Sequence, residues 1–386
     1  MSLCHTKAAD AAGVIVPKFR WLNHTASVCF YDFAAIFLPN WPMAKSDEEF
    51  MRAAVTEARK GFGLTSPNPA VGAVLVVKNK IVARGHHRRA GAAHAEIECL
   101  KSFRRSMPGD AVLYVTLEPC STIGRTGACT DAIATSGVNR LVIGAVDPNP
   151  KHAGRGIEQL KKAGLEVRVG VLESDCVELN ESYNKWIQTG LPFVVAKCGM
   201  SLDGRLSAPP SEKQWLTSPA ARRHVQKLRA QVDAILVGAE TIRADNPRLT
   251  VRGLPGTKQP RRIILSCSGK LSRSARVFTD RFAERTAVYR KMDWRSLFRE
   301  LGAQEITSVL IEGGGAVLGQ ALDQRIIDKV YIYAAPVFTG GPTVAFSGNG
   351  ADSTQDAAHL SRVRYERIAD DVCVIGYPSP DRRTVE

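Results

Sequence analysis

Short apolar runs alternate with segments of helical spacing along most of this chain, and this alternation restricts the fold more than any other feature. Apolar runs at residues 111–116 and 140–146, for example, flank a segment with helical spacing at 129–136. Strands that alternate with helices form layers in which helices cover a sheet. The sequence therefore predicts an α/β fold.

The individual elements follow from the two hydrophobic periods, about 3.6 residues for helices and about 2 for strands. In the first half they predict helices over 47–61, from 94 onward, and over 129–136, 156–163 and 174–188. The strands predicted there are 71–77, 80–84, 111–116, 140–146 and 167–171. In the second half they predict strands over 193–197, 234–237, 262–266, 308–311, 329–334 and 372–375. Helices are expected there over 219–230 and from the glycine run at 313–315 to residue 321.

A chain of 386 residues is long for one domain, since domains mostly span roughly 100–200 residues. The Thr-Gly-Leu-Pro segment at 189–192 is typical of a boundary, and the pattern restarts after it. We predict one domain at 43–189 and a second at 190–380. Residues 1–42 show no clear period. We expect there a disordered extension, or sequence upstream of the start that the cell uses, with a targeting segment as the alternative.

The net charge of +14 indicates an anionic partner, which could be nucleic acid, an anionic membrane or a phosphorylated small molecule. The sequence has no block of five like charges and no stretch approaching the roughly 20 apolar residues of a membrane span. These absences argue against nucleic acid and membrane as partners. Nine unevenly spread cysteines do not form a disulfide pattern, so we expect a reducing, cytoplasmic compartment and cysteines available to bind a metal.

One constellation predicts a catalytic zinc site. His94 and Glu96 lie two residues apart at the start of a predicted helix, and Cys120 and Cys129 follow a predicted strand. Zinc held by one His and two Cys keeps a fourth position open for water, whose pKa it lowers from about 15.7 towards about 7. A nearby glutamate can then move a proton from that water to a departing amine without touching the metal.

A His-x-Glu followed by Pro-Cys is the signature of zinc deaminases, and Pro119 precedes Cys120 here. The spacing differs from that of base and nucleoside deaminases, because eight residues rather than two separate Cys120 from Cys129. A structural zinc site, or buried cysteines beside a core histidine, is the alternative. A structural site usually needs four protein ligands, and a fourth is not evident in the sequence.

The second half contains an anion-binding pattern. The predicted strand 308–311 leads into Glu312 and the glycines at 313–315, where a helix begins. Backbone N–H groups at a helix N-terminus bind anions, and glycine allows close approach of a phosphate. A tight strand-to-helix turn is an equally good interpretation of the pattern. Neither half opens with a G-x-G-x-x-G pattern, which argues against a Rossmann domain.

Several motifs occur in one order, and together they resemble the bifunctional riboflavin-biosynthesis deaminase–reductase family. They are Ser-Pro-Asn-Pro-Ala-Val-Gly at 66–72, Gly-His-His at 85–87, His-Ala-Glu at 94–96, Leu-Glu-Pro-Cys-Ser at 117–121, Gly-Arg-Thr at 124–126, Asp-Pro-Asn-Pro at 147–150 and Gly-Arg-Gly at 154–156. The resemblance implies a cytidine-deaminase-like three-layer domain, with the zinc ligands at His94, Cys120 and Cys129 and the proton shuttle at Glu96. It places Asn68 and His87 at the pyrimidine nucleotide and Arg125 at its phosphate. The eight-residue cysteine spacing is normal in that family.

Motifs of the second half extend the resemblance to a reductase domain with a dihydrofolate-reductase-like fold. They are residues 197–205, 214–218, 238–241 and 245–252. The resemblance places NADPH at Gly199, Trp215, Thr241, Asp245, Gly314, Gly315, Ala316, Val317, Leu318, Gly319 and Gln320. It places the second substrate at Lys213, Arg229, Leu249, Arg252 and Glu312. Trp215 could equally be a core residue.

The chemistry implied by the resemblance has two steps. Hydrolysis removes the 2-amino group of 2,5-diamino-6-ribosylamino-4(3H)-pyrimidinone 5′-phosphate, and NADPH then reduces the ribosyl group to ribityl. We expect Zn²⁺ and NADPH as cofactors, a small phosphorylated pyrimidine nucleotide as substrate, and a homo-oligomer. A nucleic-acid deaminase would need a close cysteine pair and a continuous basic groove, and the sequence shows neither.

Three residues depart from the family pattern. Thr122 stands where the family has His, Lys213 where a small polar residue is usual, and Cys267 where a Ser contacts the cofactor. These departures keep open a paralogue in which one site has decayed.

Overall fold

The computed structural model describes residues 45–122, 127–206, 215–290 and 293–379. Its strands form two sheets, one of five strands built from residues 72–169 and one of eight strands built from residues 193–379. The prediction for residues 1–42 lies outside the described residues. Within the described ranges, no helix is long and apolar enough to cross a bilayer.

The five-stranded sheet is covered by helices on both faces. Its strands β1–β5 are Gly72–Val77, Lys80–His86, Val112–Leu117, Arg140–Ala145 and Glu166–Val169. Helices α1–α6 are Lys45–Ala58, Ala95–Ser102, Cys129–Ala134, Arg155–Lys162, Glu173–Leu179 and Glu181–Thr189. The strand order is β2-β1-β3-β4-β5, with β1 antiparallel to β2 and β3 and the last three strands parallel.

The two faces of this sheet pack against different helices. Met51 of α1 and Cys176 of α5 pack on one face with Val74 and Val142. On the other face, Cys99 of α2, Ile133 of α3 and Leu160 of α4 form a second cluster with the alternate residues of the same strands. Successive side chains of a strand point to opposite faces of the sheet, so each buried strand contributes residues to both clusters. The result is the three-layer arrangement that the family resemblance implies.

The single helix predicted over 174–188 is wrong. The structure has two helices, α5 and α6, which meet at Asn180. The Asn180 side chain accepts a hydrogen bond from the backbone N–H of Ala70 at 2.8 Å and donates one to the Ala70 carbonyl at 3.0 Å. Asn180 has φ −118° and ψ 25°, outside the helical range. The helix breaks at Asn180 because hydrogen bonds to Ala70, a residue distant in the sequence, hold the Asn180 side chain.

The eight-stranded sheet has the order β12-β13-β11-β6-β10-β7-β8-β9. Strands β6–β13 are Phe193–Ser201, Ala234–Gly238, Arg261–Leu265, Thr286–Tyr289, Ser308–Ile311, Lys329–Ala335, His359–Ile368 and Asp371–Ser379. Helices α7–α11 are Pro219–Gln231, Ala239–Asp245, Arg276–Thr279, Trp294–Ala303 and Gly315–Asp323. The run from β11 to β9 is parallel, and β12 and β13 form an antiparallel pair at one edge.

Among the described residues of this half, three α-helices and two strands were not predicted: α8, α9, α10, β9 and β12. Strands β9 and β12 are the two edges of the sheet, and neither contains a buried residue. An edge strand exposes much of its surface, so it lacks the apolar run that reveals a central strand. Helix α10, in contrast, buries Leu297, Phe298 and Leu301 at helical spacing, a signal that could have predicted it.

Charged side chains join the two halves. Lys329 of β11 is only 7% exposed and lies 3.3 Å from Glu178 and 3.0 Å from Glu181, which belong to α5 and α6. Arg364 of β12 binds Glu178 at 2.8 Å. A buried lysine needs such carboxylate partners, since an unpaired buried charge is costly. Helices α5 and α6 of the first half therefore contact the eight-stranded sheet of the second half through specific ion pairs.

Candidate active sites

Three potential zinc ligands meet at the ends of α2, β3 and α3. His94 is the residue before α2, Cys120 follows β3, and Cys129 begins α3. His94 Nδ1 lies 3.1 Å from Cys129 Sγ and 3.5 Å from Cys120 Sγ. The ligand atoms lie within 4.8 Å of one another. Zinc–sulfur bonds of about 2.3 Å and zinc–nitrogen bonds of about 2.0–2.1 Å can span such separations.

The chemistry of the cluster also fits zinc. Hydrogen bonds from Cys129 and His94 lower the pKa of the Cys120 thiol well below its usual range, although burial opposes the shift. Thiolate is the form that binds zinc. The cluster offers one nitrogen and two sulfur atoms. A site with three protein ligands of these types is typical of catalytic rather than structural zinc.

Glu96 lies beside the cluster in the first turn of α2 and is 3% exposed. Burial raises the pKa of its carboxyl group to about 7. A carboxyl group that titrates near neutral pH can both accept and donate a proton. The helix places Glu96 two residues after His94, which brings the carboxyl group close to the potential metal ligands.

Two of the predicted nucleotide-contacting residues lie together next to the cluster. Asn68 Nδ2 is 3.4 Å from His87 Nε2, and the His87 ring centroid is 5.4 Å from that of His94. His87 Nδ1 lies 3.0 Å from the Ala93 carbonyl oxygen. Burial lowers the pKa of His87, so the ring is neutral at pH 7. Thr122 is exposed on the loop after Cys120, and the prediction for Arg125 lies outside the described residues.

Glu118 is a residue of the same loop for which the sequence analysis predicts no role. Its buried carboxylate accepts backbone N–H bonds from Gly154 and Gly156, both at 2.9 Å, and from Asp147 at 3.2 Å. These bonds fasten the 147–156 loop to the residue two before Cys120. A carboxylate at the end of an apolar strand, directly before Pro-Cys, is the signal that could have identified it.

The second set of predicted residues gathers at the carboxyl ends of parallel strands. Gly199 lies near the end of β6, Thr241 follows β7 and Gly314 follows β10, and these strands are neighbours. A β-carbon placed on Gly314 would lie 3.5 Å from Thr241 Oγ1. Gly314 has φ +56°, a value that glycine adopts without strain. Ligands of open α/β sheets bind at this edge.

The remaining predicted cofactor residues occupy different surroundings. Trp215 is 73% exposed, so it is not a core residue, and the guanidinium carbon of Arg222 lies 5.7 Å from its ring centroid. Asp245 ends α8, where burial raises the pKa of its carboxyl group. Leu318 is buried in the core, and Gly319 packs against residues 347–348. Ala316 and Gln320 are exposed and Val317 is half-buried, while Gly315 approaches the Val344 carbonyl.

A buried ion pair joins two predicted substrate-binding residues. Arg229 on α7 donates from both Nε and Nη2 to Glu312, at 2.6 Å each, and from Nη1 to the Thr250 carbonyl at 3.1 Å. Arg252 lies close enough that Arg229 lowers its pKa, second only to the effect of burial. Leu249 is 2% exposed with φ +50°. The fixed fork of the guanidinium suits a carboxylate or a phosphate.

Two lysines remain to be placed relative to the Arg229–Glu312 cluster, Lys213 and Lys197. Lys213 lies outside the described residues. Burial raises the pKa of Glu312, but Arg229 lowers it, and Lys197 on β6 lowers it further. Lys197 therefore faces the same cluster. No role was predicted for Lys197, although a lysine inside a buried strand is a signal that could have identified it.

Two protein-family models match the chain in the order of the two sheets. The model for the cytidine and deoxycytidylate deaminase zinc-binding region matches residues 44–145, and the RibD C-terminal domain matches residues 192–374. The RibD protein of Bacillus amyloliquefaciens is 37% identical and aligns with 86% of this chain and 96% of its own length. The chain belongs to the RibD family.

Other RibD proteins agree with this assignment. Escherichia coli RibD is 36% identical over 85% of this chain and 98% of its own. The solved structure of Acinetobacter baumannii RibD has a TM-score of 0.79 at 32% identity and covers 87% of this chain and 99% of its own. The deaminase/reductase of Thermotoga maritima has a TM-score of 0.79 at 34% identity, over 86% of this chain and 99% of its own.

RibD membership confirms the predicted fold class and the bifunctional activity. The chain combines a zinc-dependent deaminase with an NADPH-dependent reductase of riboflavin biosynthesis. The zinc-binding match spans the residues that form the His–Cys–Cys cluster. A nucleic-acid deaminase and a decayed paralogue are therefore not favoured.

Proposed function

We propose that the His94 cluster and the Arg229–Glu312 cluster are the two active sites of this enzyme. The observation that carries the proposal is the buried Glu96 beside three potential zinc ligands. The buried Arg229–Glu312 pair forms a second, separate cluster in the other half of the chain. The substrate is the 5′-phosphate of diamino-ribosylamino-pyrimidinone, and its 2-amino group is removed before the ribosyl group is reduced.

In the deaminase site, His94, Cys120 and Cys129 hold the zinc. Zinc bound there makes a water molecule nucleophilic at neutral pH. Glu96 takes a proton from the attacking water and passes it to the departing amine. Asn68 and His87, which lie next to each other, orient the pyrimidine, and Arg125 binds the phosphate.

In the reductase site, the neighbouring strand ends hold the cofactor. NADPH supplies the hydride for reduction of the ribosyl group. The contacts that we assign to it are at Gly199, Trp215, Thr241, Asp245 and residues 314–320. Arg229, Leu249, Arg252, Glu312 and Lys213 bind and orient the substrate. Fixing donor and acceptor in one geometry removes much of the entropic barrier to transfer.

One assay tests both assignments. Purified protein is given the authentic pyrimidine nucleotide and NADPH, while ammonia release and loss of the near-ultraviolet absorbance of NADPH are followed together. We expect ammonia to appear first and the absorbance to fall afterwards. Absorbance loss without ammonia release would contradict the proposed order.

The zinc ligand set has its own prediction. Cys129→Ala should contain well under one zinc per chain, because two protein ligands cannot hold the metal as three do. Elemental analysis of the purified protein measures this. Cys99→Ala is the matched control, since Cys99 is another buried free cysteine that lies outside the cluster. A full zinc complement in Cys129→Ala would contradict the ligand set.

Thr122 gives a second prediction. If the threonine at this exposed position is a simple loss of a histidine contact, Thr122→His should tighten substrate binding for deamination. A hydrogen bond to a charged group is worth roughly 1.5–3 kcal/mol, or about ten- to hundredfold in KM. Steady-state deamination kinetics measure the effect, and the kinetics of reduction should not change. A raised KM would show instead that the added ring crowds an occupied pocket.

We also propose that the enzyme is cytoplasmic, forms a homo-oligomer and acts without nucleic acid. The seven cysteines in the described part of the chain are all free, which suits a reducing compartment. Light scattering after size-exclusion chromatography tests the oligomeric state.

A further inference from the structure

We propose that Asp233, in the reductase half, is a positioning residue for the deaminase site. It acts on the Asn68 loop, which we define as residues 61–70, through a hydrogen bond to Ser66. The inference rests on the nucleotide-binding role proposed for Asn68. Its consequence is that the second half of the chain sets substrate binding in the first.

Asp233 is buried, and several hydrogen bonds hold its carboxylate. It lies directly before β7 and is 5% exposed. Its Oδ2 accepts hydrogen bonds from Thr307 Oγ1 at 2.8 Å and Thr307 N at 2.9 Å, and its Oδ1 accepts one from Lys258 at 2.8 Å. These partners all belong to the reductase half. The carboxylate is therefore held in place by groups of the reductase half itself.

The bond that crosses between the halves is short. Ser66 Oγ donates to Asp233 Oδ2 at 2.7 Å and lies 3.3 Å from Thr307 Oγ1. A hydroxyl bound to a buried carboxylate forms one of the stronger hydrogen bonds in proteins. Ser66 thus fixes the middle of the Asn68 loop to the reductase sheet.

A closed turn links the position of Ser66 to that of Asn68. Asn68 N donates to the Thr65 carbonyl at 2.9 Å, which closes a turn around Ser66. The Asn68 side chain then reaches His87 at 3.4 Å, and His87 is itself fastened to the Ala93 carbonyl at 3.0 Å. A shift of Ser66 would move Asn68 relative to His87 and the zinc ligands.

The packing of the loop supports the same conclusion. Gly63 has φ +79°, and a β-carbon there would lie 2.1 Å from the Ala230 carbonyl oxygen at the end of α7. The loop therefore presses directly on the reductase half at a second point. Its far end, at Ala70, is held by Asn180 of its own half. At Leu64 the loop also accepts a hydrogen bond from Ala90 of its own half at 3.4 Å, whereas the Ser66 side chain is held by the reductase half.

The test uses the full-length, zinc-loaded enzyme. Ser66→Ala should raise the KM of deamination about tenfold, the effect expected when a hydrogen bond to a charged group is lost. The value of kcat should change much less, because Glu96 and the zinc ligands keep their places. Asp233→Asn should shift KM in the same direction. Zinc content and the kinetics of reduction of pre-deaminated substrate by Ser66→Ala should equal those of wild type.

Lys185→Met is the matched control. Lys185 of α6 binds Asp328 of the reductase half at 2.6 Å, so this pair also crosses between the halves. The Asp328 carboxylate accepts its hydrogen bonds from Lys185 and Val194 rather than from the Asn68 loop. The variant should leave the KM of deamination unchanged. If Lys185→Met raises KM as much as Ser66→Ala does, general loosening of the interface explains the effect and the inference is overturned.

A double-mutant cycle separates this inference from the proposed role of Asn68. Asn68→Ala should raise KM by itself, and adding Ser66→Ala should then cost little more, because coupled residues are non-additive. Normal KM in Asn68→Ala would refute the role of Asn68. Impaired Asn68→Ala with normal Ser66→Ala and Asp233→Asn, or full additivity in the cycle, would overturn the inference alone.

Discussion

Glu96→Gln is expected to lower the rate of deamination at least about a hundredfold, the lower end of what general acid–base catalysis contributes. The amide has nearly the shape of the carboxyl group but cannot accept the proton of the attacking water. Ammonia release under substrate saturation measures the effect. Zinc content should be unchanged, since Glu96 lies beside the proposed ligands rather than among them.

Glu98→Gln is the matched control for this prediction. Glu98 lies on the same helix, but its carboxylate binds Arg88 at 2.9 Å, and the Glu98 and Arg88 side chains are 27% and 67% exposed. That variant should release ammonia at the wild-type rate. Reduction of pre-deaminated substrate should be normal in both variants. Near-normal deamination by Glu96→Gln would refute the assignment of Glu96 as the proton carrier.

Arg229→Met is expected to lower the free energy of unfolding by about 3–5 kcal/mol, the cost of leaving one partner of a buried ion pair alone. The Arg229 and Glu312 side chains are only 11% and 6% exposed. Methionine fills much of the volume but leaves the Glu312 carboxylate without its two guanidinium hydrogen bonds. Urea denaturation followed by tryptophan fluorescence measures the change, and the variant should also lose reduction.

Two comparisons sharpen this prediction. The double variant Arg229→Met with Glu312→Gln should recover part of the lost stability, because no uncompensated charge remains buried. Arg52→Met breaks a pair with Glu48 of similar length, 2.7 Å, whose side chains are 59% and 41% exposed. An exposed pair contributes at most about 1 kcal/mol. If both single variants cost the same small amount, the Arg229 pair does not stabilise the fold.

Much of the fold could be predicted from local patterns. Central strands such as β3 and β10 are buried along their whole length, so each reads as a continuous apolar run. Edge strands β9 and β12 were not predicted because much of their surface is exposed to solvent, which leaves them without an apolar run. Their pairing uses backbone groups, and backbone pairing leaves no side-chain pattern in the sequence. The helix break at Asn180 also escaped, since its cause is the backbone of Ala70.

The candidate sites divide in the same way. His94 directly precedes α2 and Glu96 lies in its first turn, so local geometry alone brings them together. The resemblance in the sequence supplied Arg229 and Glu312 as separate residues 83 positions apart, and only the folded sheet shows them as a buried pair. Glu118 and Lys197 received no role from the sequence, because their surroundings come from distant segments.

The sequence by itself determined the α/β class, the order of the motifs and the chemical types of the proposed zinc ligands. These depend on residue type, period and spacing, which are local properties. The tertiary structure alone decided which distant groups meet: Asp233 with Ser66, Lys329 with Glu178 and Glu181, and Asn180 with Ala70. Such pairs form because a buried polar group must find a partner once the sheets exclude water, and no local pattern specifies which partner that is.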